Sequence, residues 1–295
     1  MKTEEKKTIL VTGGAGFVGS HLCERLFRDG HRVISLDNYF TGSKENHVEG
    51  VEYREGHTKD IAQHVPEKVD IIYHLGEYSR TAVAIEEPDV VFDLNIAGTI
   101  GVLEYWREHK PKLVYAGSST KKADPRADGV LGKDLSPYTW AKSTNTDLVQ
   151  NYARWYGLSY ATVYFFNVYG SRELAGRYGT VIEIFKQDLV GGLPHKVNGP
   201  GTQSRTYTHI DDTVAGVILA GEKGEGDDYG ICSNDTVTIL ELANMFGGEI
   251  VMLPPRSTSR PSTPVDDSRI RALGWTQEHK LADYIAEIKT SLNKR

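Results

Sequence analysis

The stretch Thr8-Ile9-Leu10-Val11-Thr12-Gly13-Gly14-Ala15-Gly16-Phe17-Val18-Gly19 decides how this sequence folds. Thr8 to Val11 is apolar and β-prone, and a helical pattern runs from Ser20 to Arg28. Between them, glycines at 13, 16 and 19 give the spacing Gly-x-x-Gly-x-x-Gly. A strand, a tight glycine turn and a helix start are the context in which such spacing means dinucleotide binding. Without side chains the turn closes tightly and its backbone approaches a pyrophosphate. The helix N-terminus then supplies unpaired N–H groups and the positive end of its dipole. Gly13, Gly16 and Gly19, with Phe17 and Val18 between them, form the expected cofactor cradle. The next apolar run, Arg32-Val33-Ile34-Ser35-Leu36, ends in Asp37. An acid about 20 positions past the glycines is placed to bond the adenosine ribose hydroxyls. Its charge repels a 2′-phosphate, so NAD is expected over NADP.

Outward from this unit, strands and helices alternate. Val51–Arg54 reads as a short strand and Val69–Leu75 as a buried central one, because parallel sheets covered on both faces give near-continuous apolar runs. Pro88–His109 has helical periodicity, and Leu113–Gly117 is the next strand. A helix is expected over Ser136–Tyr156, with Ser136 as cap, Pro137 at the first helical position and Gly157 as terminator. Tyr160–Phe166 is the following strand. The alternation predicts an α/β fold, a doubly wound parallel sheet of the Rossmann type, over residues 1–166. Residues 167–295 read as a smaller C-terminal substrate-binding domain, with a segment near 205–230 returning to the first. Helices are expected there over Val214–Ala220, Leu240–Phe246 and Leu281–Leu292.

Composition narrows the partners. The 295 residues suffice for one large or two smaller domains. A net charge of −6 argues against nucleic acid or an anionic membrane as partner. Cys23 and Cys232 make neither a disulfide framework nor a metal spacing, so no metal is expected and a reducing cytoplasm fits. The polar start, Met1 to Lys7, has no apolar core of a signal peptide, and no run is long enough to span a membrane.

Tyr138-Thr139-Trp140-Ala141-Lys142 sets a phenol and an ammonium four residues apart on one helical face. A phenol with a pKa of about 10 is a poor base at neutral pH. A nearby cation lowers such a value by about one to three units, toward the range where proton transfer is useful. Ser118, Ser119 and Thr120 lie at the carboxyl end of a strand, where open α/β sheets bind ligands, and a hydroxyl there can bond a substrate oxygen.

Together these residues resemble the extended short-chain dehydrogenase/reductase family, in particular its NAD-dependent nucleotide-sugar epimerases and dehydratases of the UDP-glucose 4-epimerase type. The resemblance covers nearly the whole chain. It implies that Asp37-Asn38 is the ribose-binding pair, that His74-Leu75 is the strand end beside the cofactor, and that Asn95 begins a helix motif at the site. Ser118, Tyr138 and Lys142 match the catalytic triad. Asn167 heads the segment that turns into the substrate domain, Arg205 matches the arginine that grips the diphosphate, and Arg256 the second such arginine. A guanidinium suits that role because it bonds phosphate oxygens bidentately. The family also implies a homodimer built from the helices over 88–109 and 136–156. Departures exist: His57 stands where an aspartate usually touches adenine, and Lys121-Lys122 replace a usual Val-Tyr. Two runs, His74–Arg80 and Gly117–Lys121, look similar to a bacterial subgroup that oxidises GDP-heptoses for capsule synthesis.

The function expected from the resemblance is transient oxidation of a nucleotide-diphosphate sugar at C4, in polysaccharide biosynthesis. Tyr138 takes the hydroxyl proton, Lys142 holds the nicotinamide ribose, and Ser118 bonds the reacting oxygen. Dehydratases of this family follow the active-site serine or threonine with Asp-Glu; here Ser119 and Thr120 follow. That favours a 4-epimerase, with a 4-dehydrogenase releasing a keto sugar as the alternative. A non-catalytic NAD-binding redox sensor is a third reading, disfavoured by the retained triad. The sugar and the nucleotide base stay open.

Overall fold

The computed structural model describes residues 5–81, 83–119, 129–255 and 266–292. Seven parallel strands form its central sheet: β1 (Thr8–Thr12), β2 (Arg32–Asp37), β3 (Glu52–Glu55), β4 (Ile71–His74), β5 (Lys112–Ala116), β6 (Tyr160–Phe165) and, after four shorter strands, β11 (Gly226–Ile231). The four are β7 (Val168–Tyr169), β8 (His195–Asn198), β9 (Ser204–Thr206) and β10 (Thr208–His209). Strand β12 (Thr236–Thr238) pairs with β9 and β13 (Ile250–Leu253) with β8. In the central sheet the order is β11-β6-β5-β4-β1-β2-β3. Strand β1 thus lies between β2 and β4, and the crossovers leave it in opposite directions.

Helices cover both faces. They are α1 (Phe17–Arg28), α2 (Ile61–His64), α3 (Pro88–Val91), α4 (Gly98–His109), α5 (Pro137–Tyr156), α6 (Val181–Gly191), α7 (Ile210–Lys223), α8 (Ile239–Phe246), α9 (Ser268–Ala272) and α10 (Leu281–Leu292). One core joins Leu22 and Leu26 of α1 and Val214 and Val217 of α7 to Ile9, Val11 and Val163 of the sheet. The other joins Val102 and Trp106 of α4 and Val149 of α5 to Leu10, Ile72 and Leu113. Alternate residues of β1 therefore enter different cores, as the two-residue period of a strand requires. A third core, with Phe185, Val197, Leu242, Phe246 and Leu281, holds the smaller lobe.

The helix expected over 88–109 exists, but it contains a π-helical turn, Phe92–Ala97, between α3 and α4. Such turns recur at functional sites. This one coincides with Asn95, whose amide pairs with both backbone groups of Tyr78. Helix α7 begins four residues before the expected Val214, capped by His209 and carrying Asp211 and Asp212 in its first turn. Those acids break the apolar period but suit a helix N-terminus. Helix α5 matches its expected caps: Ser136 and Thr139 bond each other's backbone N–H groups, and Gly157 ends it at φ 63°.

At the glycine turn the geometry leaves no room for side chains. Gly13 has φ 73°, and a Cβ on Gly19 would lie 2.0 Å from the Gly13 carbonyl oxygen. Gly19→Ala must open the turn. Strain of about 1–3 kcal/mol there corresponds to NAD affinity about ten- to a hundredfold weaker, measurable by calorimetry. Unchanged affinity would place the cofactor elsewhere.

Candidate active site

All the parallel strands of the central sheet point their carboxyl ends toward one rim, and a cavity of about 850 Å³ opens there. Its wall runs from the glycine turn and Asp37, past Leu75 and Glu77, to Ser118, Tyr138 and Lys142, and on to Asn167 and Arg205 of the smaller lobe. Gly16, Phe17, Val18, Gly19, Asn38 and Ser119 also line it. Thr120 and Arg256, expected at the substrate end, lie outside the described residues.

Asp37 closes β2 beside the turn. One carboxylate oxygen accepts the Tyr39 N–H at 2.8 Å and the other the Ala15 N–H at 2.9 Å. Burial pushes its carboxyl above the ordinary value, against the pull of those two bonds. The turn and Asp37 fit a dinucleotide. Gly13, Gly16 and Gly19 line the cavity with backbone that carries no side chain, and the Asp37 carboxylate lines the wall at the end of the neighbouring strand.

Asn95 does not line the cavity. It was expected at the cofactor, but it is fully buried behind the wall, and its amide is spent on Tyr78. It holds the loop after β4 rather than lining the cavity. His57, at the adenine position, turns away too: its ring bonds Asp93 at 3.1 Å and caps the Lys59 N–H, while Gly56 and Thr58 line the cavity.

On α5, Tyr138, Lys142 and Asn145 share one face by helical spacing. The Tyr138 hydroxyl donates to Ser118 Oγ at 3.3 Å. The Lys142 ammonium bonds the Glu77 carboxylate and the Ala116 carbonyl. The Tyr115 ring lies 4.8 Å from its nitrogen. Glu77 was not foreseen. Its side chain is 1% exposed, and Oε1 accepts from Asn145 at 2.7 Å, Thr99 at 2.8 Å and Tyr115 at 3.3 Å. Burial, the largest single influence, pushes its carboxyl up, but Lys142, His74 and the Thr99 hydrogen bond together outweigh it and hold the carboxyl below the usual range. The signal available in sequence was an acid in the loop just past an apolar strand, which is the ligand rim of a parallel sheet.

The network continues into the sheet. Register places Thr12 opposite His74, and His74 opposite Tyr115. His74 bonds Thr12 Oγ1 at 2.7 Å through Nδ1 and Thr99 Oγ1 at 3.0 Å through Nε2. Burial pushes His74 down to about 4, so the ring is neutral near pH 7. The Thr99 proton goes to Glu77, so Thr99 accepts from His74, which assigns the ring proton to Nε2. Arg80, also unforeseen, lines the cavity and donates to the Tyr178 carbonyl. Burial lowers its pKa.

Residues 9–232 match the model of the NAD dependent epimerase/dehydratase family. The chain belongs to this family. It is 29% identical, over 95% of its length and 96% of the relative's, to a putative UDP-glucose 4-epimerase of Methanocaldococcus jannaschii. Its structure is similar to that of Thermotoga maritima UDP-glucose 4-epimerase with UDP-glucose, with TM-score 0.89 and 26% identity over 97% of this chain and 99% of that one. It is also similar to Thermus thermophilus UDP-glucose 4-epimerase in complex with NAD, with TM-score 0.86 and 25% identity over 97% and 99% of the two chains. NAD is the cofactor, and it would lie between the glycine turn, Asp37 and Lys142.

A buried carboxylate at Asp37 disfavours a 2′-phosphate. NAD should bind tighter than NADP by about tenfold or more, and Asp37→Ser should narrow the gap. Calorimetry with both cofactors tests this, and equal affinities in the unaltered protein would contradict the ribose role.

Proposed function

We propose that this protein is a nucleotide-sugar 4-epimerase acting through transient oxidation at C4. One observation carries the reading: Ser118, Tyr138 and Lys142 line a single cavity whose wall also carries Asp37 and Arg205 of the smaller lobe, and the Tyr138 hydroxyl bonds Ser118. A carboxylate and a glycine turn for a dinucleotide, and an arginine for a diphosphate, suit two ligands meeting at the triad. Bound NAD supplies the hydride acceptor and donor for C4.

The chain's residues supply the rest. Tyr138 takes the C4 hydroxyl proton as the carbonyl forms and returns it afterwards. Ser118 bonds the same oxygen and fixes its position. Lys142, on the same helical face as Tyr138, anchors the nicotinamide ribose. Arg205 binds the diphosphate, with Arg256 as the second expected arginine. Ser119 and Asn167 contribute to the sugar wall, where the resemblance also implies Thr120.

Elimination of water needs a free acid and base near C5 and C6. Ser119 carries a hydroxyl, far weaker than a carboxylate as a base at neutral pH. Glu77, the carboxylate closest to Lys142, is tied up by four donors. This favours return of hydride over dehydration. The unusual Lys121-Lys122 pair favours a second reading, release of the 4-keto sugar by a 4-dehydrogenase.

The same proposal includes a homodimer through the helices over 88–109 and 136–156, whose surfaces expose Phe92, Ile100, Trp140, Trp155 and Tyr156. Cys23 and Cys232 are buried free thiols, which suits a cytoplasmic setting.

Tyr138→Phe keeps the ring and removes the proton acceptor. Turnover should fall about a hundredfold to ten-thousandfold while NAD binding persists. Near-normal kcat would remove Tyr138 from the role. Substrates deuterated at C4, drawn from UDP-, GDP- and dTDP-sugars, test the outcome by NMR. Label retained at an inverted C4 is expected. Label lost with a 4-keto product supports the dehydrogenase, and a 4-keto-6-deoxy product overturns both.

A further inference from the structure

We propose that Glu77 is a built-in counter-charge to Lys142, which pins the ammonium and cancels its field at the catalytic end of the cofactor site. The pair is sealed: the side chains of Lys142 and Glu77 are 6% and 1% exposed. Water therefore screens neither charge, and the effect of each on its neighbours depends on the other. Glu77 is itself fixed, by donors from three elements: Tyr115 on β5, Thr99 on α4 and Asn145 on α5. A lysine side chain has many rotamers, so an ammonium at the reaction point needs such an anchor. The second acceptor, the Ala116 carbonyl, is neutral, which leaves Glu77 as the charge that matches the ammonium.

The consequence concerns the redox state of the cofactor. The oxidised nicotinamide ring is cationic and the reduced ring is neutral. A lone ammonium at this end of the site would penalise the oxidised form. A lysine–carboxylate pair leaves the two forms on a more equal footing, which suits an enzyme that gives and retrieves hydride at one sugar. At an effective dielectric of about 20, one uncompensated charge a few ångströms away shifts such an equilibrium by about tenfold or more.

The same charge acts on the phenol. Besides Lys142 on its own helix, Tyr138 shares the cavity wall with Glu77 and Arg80 from the loop after β4, interacts electrostatically with Tyr115 of β5, and packs in one cluster with Tyr78 and Tyr178. Removing the Glu77 charge leaves only cations among these charged groups. An uncompensated cation favours the phenolate, so the acid limb of the pH–rate profile moves to lower pH.

The test is Glu77→Gln, which preserves size and some hydrogen bonding. Dissociation constants for NAD and NADH are measured by calorimetry on cofactor-stripped protein at pH 8. The ratio of the NAD constant to the NADH constant should rise by about tenfold, and the acid limb of kcat should move down by about one pH unit. An unchanged ratio with a lower kcat at every pH makes Glu77 scaffold only and overturns the proposal. Should Glu77→Gln fail to fold, Lys142→Met supplies the opposite charge imbalance. Glu77 keeps its Thr99, Asn145 and Tyr115 donors there, and the ratio should fall; a ratio equal to the unaltered protein's overturns the proposal. The inference rests on the cofactor site and not on the sugar reaction. If no sugar nucleotide is turned over, the binding ratio still decides it.

Discussion

The whole molecule depends on the position of β1 between β2 and β4. Parallel strands need crossovers, and right-handed crossovers leaving β1 in opposite directions put helices on both faces. Where the winding reverses, no helix covers the strand ends, and a crevice forms at their carboxyl edge. The loops that enter the cavity follow from this: the glycine turn after β1, Asp37 on β2, Leu75 and Glu77 after β4, Ser118 after β5 and Asn167 after β6. Chemistry gathers at one rim because strand direction leaves it nowhere else to gather.

Behind that rim runs a buried polar chain: Thr12, His74, Thr99, Glu77, Lys142. It connects the strand that feeds the glycine turn with the helix that carries the lysine. Buried polar groups are costly unless bonded, and a satisfied network in a low dielectric is rigid. The network therefore does for the lysine what close packing does for an apolar side chain. The neutral His74 is part of that economy: it passes one hydrogen bond on without adding a charge to the interior.

The smaller lobe is tied to the sheet by its own contacts. Arg172 meets Glu24 of α1 at 2.6 Å, and His21 bonds the Ser171 carbonyl at 3.0 Å. Over the cavity mouth, Phe40 packs against Tyr78 and Tyr178, and the two tyrosine hydroxyls share Glu87. These contacts hold the smaller lobe against the sheet that carries the catalytic residues.

Local physics made much of this legible in the sequence. The apolar run into Gly13, Gly16 and Gly19, the acid at the end of the next strand, the strand–helix alternation and the caps of α5 each depend on neighbours in the chain. The pair Tyr138 and Lys142 is legible too, since helical spacing alone puts both on one face. What sequence could not decide is what those side chains meet. Asn95 was misplaced because the π-helical turn and the Tyr78 backbone, not the helix period, determine where its amide goes. Glu77 is not legible in sequence, because an acid in a loop looks solvated until three separate elements close on it. The backbone pattern is encoded residue by residue, whereas the charge state and bonding of the site belong to residues far apart in the chain, and only folding brings them within reach.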